Sequence, residues 1–301
     1  MASWETYVVP QLKNLHHTAF GKAACLALFA GIAALAQTGT APDSTAAIPD
    51  VTALLKEVQQ HQHKTDAIRE NYTFHEIVRT DTLDASAAVK ETKSEESEVF
   101  FVNGHRVIRL VKKDGVELSP HERERELERV KKEIEGYIKA AHGAQRGRGG
   151  GRARIVSQIL AVAKTSNPRR VSFRGRDTLV FDFAGDPNAK ASGMDQSAAK
   201  KLAGTIWIDE ADKQVARLEV HFYDNFRIGG GLLASVQKGT SMNVDQAPLG
   251  EGLWMQVGSE DHLAARIVVK NLRENVHIED FDFRKFDIGM AQKIGGPAEG
   301  K

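Results

Sequence analysis

The stretch from Gly204 to Phe222, GTIWIDEADKQVARLEVHF, constrains the fold of this chain more than any other. Two apolar runs rich in β-branched residues, 205–208 and 215–222, flank a polar connection over 209–214, with no proline in either arm. That pattern predicts an antiparallel hairpin. In the second arm Ala216, Leu218, Val220 and Phe222 point one way, while Val215, Arg217, Glu219 and His221 mostly point the other. One side of the hairpin seeks a dry interior and the other tolerates water. Such a hairpin needs more strands beside it and helices over its dry side.

The flanking chain supplies both. Residues 71–83 read as a strand with Tyr72, Phe74 and Val78 on one parity, and 89–102 as a second, polar at first and then apolar. Asn103-Gly104 and Asp114-Gly115 are turn signals, since both positions tolerate positive φ. Strand character resumes at 169–173 and 178–183, where Leu179, Phe181 and Phe183 share a face, and again at 240–245, 253–257 and 265–272. The run EDFDFRKF over 279–286 closes the pattern, with Phe281 and Phe283 expected on one side and Asp280 and Asp282 on the solvent side. Nine to eleven strands and three helices follow. The links are of hairpin length, which excludes a parallel βαβ sheet.

Asp50 caps a helix whose stripe is Val51, Leu54, Leu55, Val58 and Ile68. Ser119-Pro120-His121-Glu122 is a capping box with proline at the first helical position. The helix it opens runs to about residue 141 on a narrow stripe of Leu127, Val130, Ile134, Tyr137, Ile138 and Ala141, with a solvated face of mixed charge opposite. GAQRGRGGGRAR over 143–154 reads as a surface loop, 155–163 as a second short helix, and 185–197 as a loop. Gly229, Gly230 and Gly231 precede Leu232 and Leu233, a pliable apolar segment suited to act as a flap.

Lys13 and Lys22 precede an unbroken apolar run over 23–36 that ends Ala34-Leu35-Ala36. This reads as a secretory signal peptide over 1–36, cleaved near Ala36, and is shorter than the ~20 apolar residues of a membrane span. A flexible leader over 37–50 follows, then one folded domain over 51–288 with a helical insertion at about 119–165, and a disordered tail over 289–301. The chain beyond residue 36 carries 39 basic and 39 acidic residues. Neutrality and export together argue against nucleic acid as a partner. The only cysteine, Cys25, lies within the apolar run, with Lys22 where a lipid-attachment signal has leucine. The expected product is a soluble exported protein without thiol chemistry.

No catalytic signature is present: no G-x-S-x-G, no H-E-x-x-H, no P-loop and no Rossmann glycine pattern. His61 and His63 fall on different helix faces, and the remaining histidines are scattered, so no metal site and no cofactor are expected. Asp280 and Asp282 form the one carboxylate pair, explained by solvent exposure.

The signal peptide, the helix from Val51, the strand from Tyr72, the G-x-hydrophobic-W-I-D-x-x-D hairpin and the closing FDFRKF together resemble the outer-membrane lipoprotein-sorting proteins, the LolA/LolB/RseB-like periplasmic carriers. The resemblance implies an α+β fold: a large curved antiparallel β-sheet, an unclosed β-barrel, with helices packed on its concave face. It also implies a non-enzymatic carrier or sensor of lipid or lipoprotein acyl chains that touches membranes only transiently. The alternative on the same scaffold is a module that binds an envelope protein through its charged helix. The apolar residues expected to face the hollow are Phe101, Leu179, Phe181, Phe183, Leu218, Val220, Phe222, Phe281 and Phe283. A filled core would use the same residues.

Overall fold

The computed structural model describes residues 48–143, 159, 161–229, 234–250, 252–268 and 270–285. The first element is α1 (Val51–Arg69). The Asp50 carboxylate accepts the Ala53 N–H at 2.8 Å and caps it. Leu54 and Val58 are buried beneath this helix, and Val51 and Leu55 pack beside them. Ile68 is exposed instead. Ten residues at ~100° each carry it well around the helix from Val58.

A meander follows: β1 (Tyr72–Leu83), β2 (Val89–Val102), β3 (His105–Lys113) and the two-residue β4 (Val116–Glu117). Asn103 and Gly104 turn with φ of 51° and 78°, and Asp114 and Gly115 with 49° and 76°, as the hairpin signals predict. Next is α2 (Pro120–Gly143). Its capping box is closed in both directions: the Ser119 Oγ accepts the Glu122 N–H at 3.3 Å, and the Glu122 carboxylate accepts the Ser119 N–H at 3.0 Å.

The second half comprises β5 (Ala163–Phe173), β6 (Arg176–Gly185), α3 (Gly193–Ala199), β7 (Leu202–Asp209), β8 (Gln214–Phe222), β9 (Phe226–Ile228), β10 (Ala234–Val236), β11 (Ser241–Gly250), β12 (Leu253–Ile267) and β13 (Lys270–Lys285). Four expectations are corrected here. The run over 265–272 is not one strand: it ends β12 and opens β13 around a turn at Val268, φ 53°, with Ile267 paired to Lys270. Ala163 opens a strand and does not close a helix, although Ile159 before it is helical and buried. The 185–197 segment is not all loop, because α3 begins within it. Among the described residues thirteen strands replace the expected nine to eleven, the additions including β4, β9 and β10, each of two or three residues.

All strands join one antiparallel sheet in the order β4-β3-β2-β1-β13-β12-β11-β8-β7-β6-β5, with β10 pairing β12 and β9. The first and last strands, β1 and β13, lie side by side in its middle, so the sheet is complete only when the chain is. The two ends of the order do not meet, and the curved sheet stays unclosed. Each end is blunted. In β5, Asn167 at φ 52° and Pro168 sit in a register shift between Ser166 and Arg169, a form that refuses another strand. At the other end α2 lies along β3. The expected packing of helices on the inner face therefore holds for α1, while α2 takes the edge. There Val130 is buried and Tyr137 half-buried, but Leu127 and Ile138 of the expected stripe are exposed.

Candidate functional site

Register settles which residues share the inner face. Val220 lies opposite Met242, and Leu218 opposite Val244. Val244 in turn faces Ser259, Ser259 faces Ile278, and Ile278 faces Val78. By alternation Phe74 and Glu76 belong to the same face, with Val99 and Ser97 across from them on β2.

Two apolar clusters occupy this face. The larger gathers Leu54 and Val58 of α1, Ile159, Val162, and Leu179, Phe181, Phe183, Ile206, Ile208, Val215, Leu218 and Val220 of the sheet. Leu179, Phe181 and Phe183 are at most 3 % exposed, beneath the face α1 covers. Burying each such side chain stabilises the fold by about 1.5–3 kcal/mol. The smaller cluster is largely aromatic: buried Phe74, Val99, Leu253 and Met255 with partly buried Tyr72, Phe101 and Phe283. The Phe74 and Phe283 rings lie 5.3 Å apart.

The expected lining residues are thus distributed, not gathered. Leu179, Phe181, Phe183, Leu218 and Val220 meet in the larger cluster, and Phe101 and Phe283 in the smaller. Phe222 stands apart against Phe226, ring centres 6.4 Å apart. Two bulges explain the departures from simple alternation. An extra residue at Ala216, where Trp207 faces Arg217 but Ile208 faces Val215, turns Val215 into the core with Leu218. Asp282, at φ 54°, does the same in β13. Phe281 consequently faces His75, rings 5.6 Å apart, while Phe283 packs on Phe74 on the opposite side of β1. Of the flap, Gly229 has φ 59° at the end of β9; Gly230, Gly231, Leu232 and Leu233 lie outside the described residues.

Between the clusters the inner face is polar, which the expected apolar trough does not anticipate. Glu76 and Asp280 are direct cross-strand partners and both buried, so Asp280 is not the solvent-facing carboxylate its sequence position suggests. Arg106, which lies across from Phe101, pairs with Glu76. Farther along β13, Glu274 is buried opposite Thr82 and Leu263. Burial pushes its carboxyl up, against the opposing pull of Lys93. An acid whose folded-state pKa is raised lowers stability as pH rises from its unfolded value through the folded one. Glu274→Gln is therefore expected to stabilise the fold at neutral pH by about 1 kcal/mol. The gain should vanish at acidic pH, where wild-type Glu274 is already protonated; melting curves across pH check this.

The sequence motif resolves into a folding device. Asp209 is about 1 % exposed and accepts the Arg176 guanidinium at 2.9 Å through Nη2, with Nε also bound, and the Asp212 N–H at 2.7 Å. Asp212 accepts Arg176 at 2.8 Å and the Trp254 indole N–H at 2.9 Å. Burial pushes the Asp209 carboxyl up, but Arg176 and the Asp212 and Ala211 amides outweigh it and hold its pKa below the ordinary range. From the end of α1, Arg69 donates to the Trp254 carbonyl at 2.8 Å and to Gln246 at 3.3 Å. Sequence reasoning missed Arg176 and Trp254, which lie 33 and 42 residues from their partners Asp209 and Asp212.

Among the described residues, no helix is long and apolar enough to cross a membrane. No protein-family model and no curated protein matches the chain. Solved structures do. An outer membrane lipoprotein-sorting protein domain from Vibrio parahaemolyticus aligns with 78 % of this chain and 94 % of its own, at 11 % identity and TM-score 0.33. A DUF1329 family protein from Desulfovibrio piger aligns with 79 % and 95 %, at 9 % identity and TM-score 0.29. The Pseudomonas aeruginosa MucA/MucB complex aligns with 79 % and 96 %, at 9 % identity and TM-score 0.23.

Proposed function

We propose that this chain is an exported, non-enzymatic binding protein of the bacterial periplasm that carries or senses lipid or lipoprotein acyl chains. The observation that carries the reading is the contrast between the two clusters. Among the described residues the larger has thirteen buried members, Leu54 and Val58 of α1 among them, bordered by partly buried aliphatic side chains, and serves as core. The smaller leaves the aromatic side chains Tyr72, Phe101 and Phe283 only partly buried beside buried Phe74 and Val99, on the same face of an unclosed sheet. Aromatic side chains left partly in water around a buried floor form a surface that an alkyl chain dehydrates. Each methylene placed there contributes about 0.8 kcal/mol, and a dozen would outweigh the cost of ordering a chain.

In this reading the lining is Tyr72, Phe74, Phe101 and Phe283, with Leu179, Phe181, Phe183, Leu218 and Val220 as the support that holds the sheet's curvature. Arg106, beside Phe101 and paired with Glu76, marks the polar limit of the surface. An acyl-chain fluorophore should bind the folded protein and be displaced by fatty acid, and lipid should be extractable from material purified from cell envelopes. Phe101→Ser and Phe283→Ser should each weaken binding about tenfold, equivalent to ~1.4 kcal/mol, while Leu127→Ser on α2 leaves it unchanged. If the fluorophore fails to bind and no lipid co-purifies, the carrier reading is wrong.

A further inference from the structure

The charged helix α2 does something that its sequence does not announce. It holds the free edge of β3 with side chains where another strand would go. The Leu110 N–H donates to the Glu126 carboxylate at 2.9 Å, and the Ile108 carbonyl accepts from the Arg129 guanidinium. Glu126 and Arg129 hold each other, Nε to Oε2 at 2.8 Å, and Arg129 also binds Glu133 at 2.8 Å. Farther along the helix, Tyr137 stacks on His105 at the start of β3, ring centres 4.2 Å apart. Val130 is buried between these contacts.

We propose that α2 is a guard that prevents a second copy of this chain from pairing with β3. The occupant follows from the groups that the helix occupies. An antiparallel pairing of two β3 strands about a two-fold axis at Arg109 sets residue 108 of each copy against residue 110 of the other. In that register the Leu110 N–H of one copy meets the Ile108 carbonyl of the other, twice over. These are the same two groups that Glu126 and Arg129 now satisfy. A two-fold interface presents one patch to itself, so β3 needs no complementary surface elsewhere. The pairing is confined to residues 107–111, because Lys112 and Lys113 already pair with Glu117 and Val116, and the Val111 carbonyl accepts the Leu118 N–H. The far edge, β5, is protected by its own proline and register shift; β3 has no proline, and its own register shift falls at Val111, at the end already held by β4. The inference is independent of whether the protein carries lipid.

The test uses the full chain with Cys25→Ala, since Cys25 is the only native cysteine. Arg109→Cys places a thiol at the two-fold axis, where residues of a non-hydrogen-bonded pair have Cα atoms about 4.5 Å apart, within disulfide reach. In that chain with α2 intact, mild oxidation should give no cross-linked dimer. Adding Glu126→Ala, Arg129→Ala and Val130→Asp should free the edge, speed hydrogen exchange at the Leu110 amide, and yield a position-109 disulfide dimer. Without the thiol, the same triple variant should sediment as a concentration-dependent dimer, and Leu110→Pro, which removes the pairing N–H, should return it to monomer. A cross-link with α2 intact would overturn the guard. So would a folded triple variant with an exposed Leu110 amide that neither cross-links nor self-associates. Should the triple variant not fold, Glu126→Gln/Arg129→Gln with Arg109→Cys is read in the same way.

Discussion

Gly204→Ala is expected to lower stability by about 3 kcal/mol or more, or roughly 10 °C in melting temperature. A Cβ on Gly204 would lie 1.9 Å from the Glu219 carbonyl oxygen and 2.9 Å from the edge of the Phe183 ring. Neither neighbour can give. The Glu219 backbone belongs to β8, the strand paired with β7 through Thr205↔Glu219, and Phe183 is locked in the larger cluster. Relief requires separating the two central strands of that half of the sheet. Gly136→Ala on α2 is the control, because a Cβ there meets nothing within 4 Å. It should be neutral or stabilise by up to about 1 kcal/mol through helix propensity. Denaturant titration of both variants checks the contrast: a Gly204→Ala protein as stable as wild type would mean that β7 and β8 approach each other less closely than described.

The same glycine shows how far the sequence could be read. Its position at the head of an alternating run was legible as the start of a hairpin, and so were β1, β2 and β3, because each carries several residues of one periodicity bounded by turn residues; β12 and β13 were legible only in pieces, since the turn between them falls at Val268, φ 53°, inside a run that reads as one strand over 265–272. Asn103-Gly104 and Asp114-Gly115 announced their turns, whereas Arg174-Gly175, with φ of 53° and 76°, did not, since arginine carries no turn preference. Strands of two or three residues, β4, β9 and β10, are too short for any period to show. Bulges were the deeper obstacle. A single extra residue at Ala216 or at Asp282 reverses the facing of everything beyond it, which is why Phe281 and Phe283 part company. The polar band of Glu76, Ser97 and Asp280 was hidden for another reason: a buried carboxylate and an exposed one look alike until the partner strand is known. The division of the inner face into a buried core and a partly buried aromatic patch depends on where α1 lies, and a helix stripe says only that it covers something apolar.

The turn that this hairpin encloses carries the second large effect. Arg176→Met should cost about 3–5 kcal/mol at neutral pH, because it leaves Asp209 buried and ionised without its countercharge. Asp209→Asn should cost less, since Arg176 keeps Asp212 as a partner and is itself more than a third exposed. Combined with Arg176→Met, it should recover part of the loss, giving a coupling energy of the kind seen for residues in one network. The pH dependence gives the sign. In the wild type Asp209 has a depressed folded-state pKa. Its contribution is present in full above the unfolded carboxylate value of about 4 and disappears as pH falls through the folded value. In Arg176→Met burial is no longer opposed by the guanidinium, so the Asp209 carboxyl shifts upward and protonation relieves the strain. The stability gap between wild type and Arg176→Met should thus be widest near neutrality and shrink in acid, whereas the gap between wild type and Asp209→Asn/Arg176→Met should shrink less, by the wild-type Asp209 contribution alone. Urea unfolding at a series of pH values reads this directly. A gap that stays constant with pH, or widens in acid, would show that Asp209 owes its ionisation to the Asp212 and Ala211 amides alone, and that the W-I-D-x-x-D turn closes without its arginine.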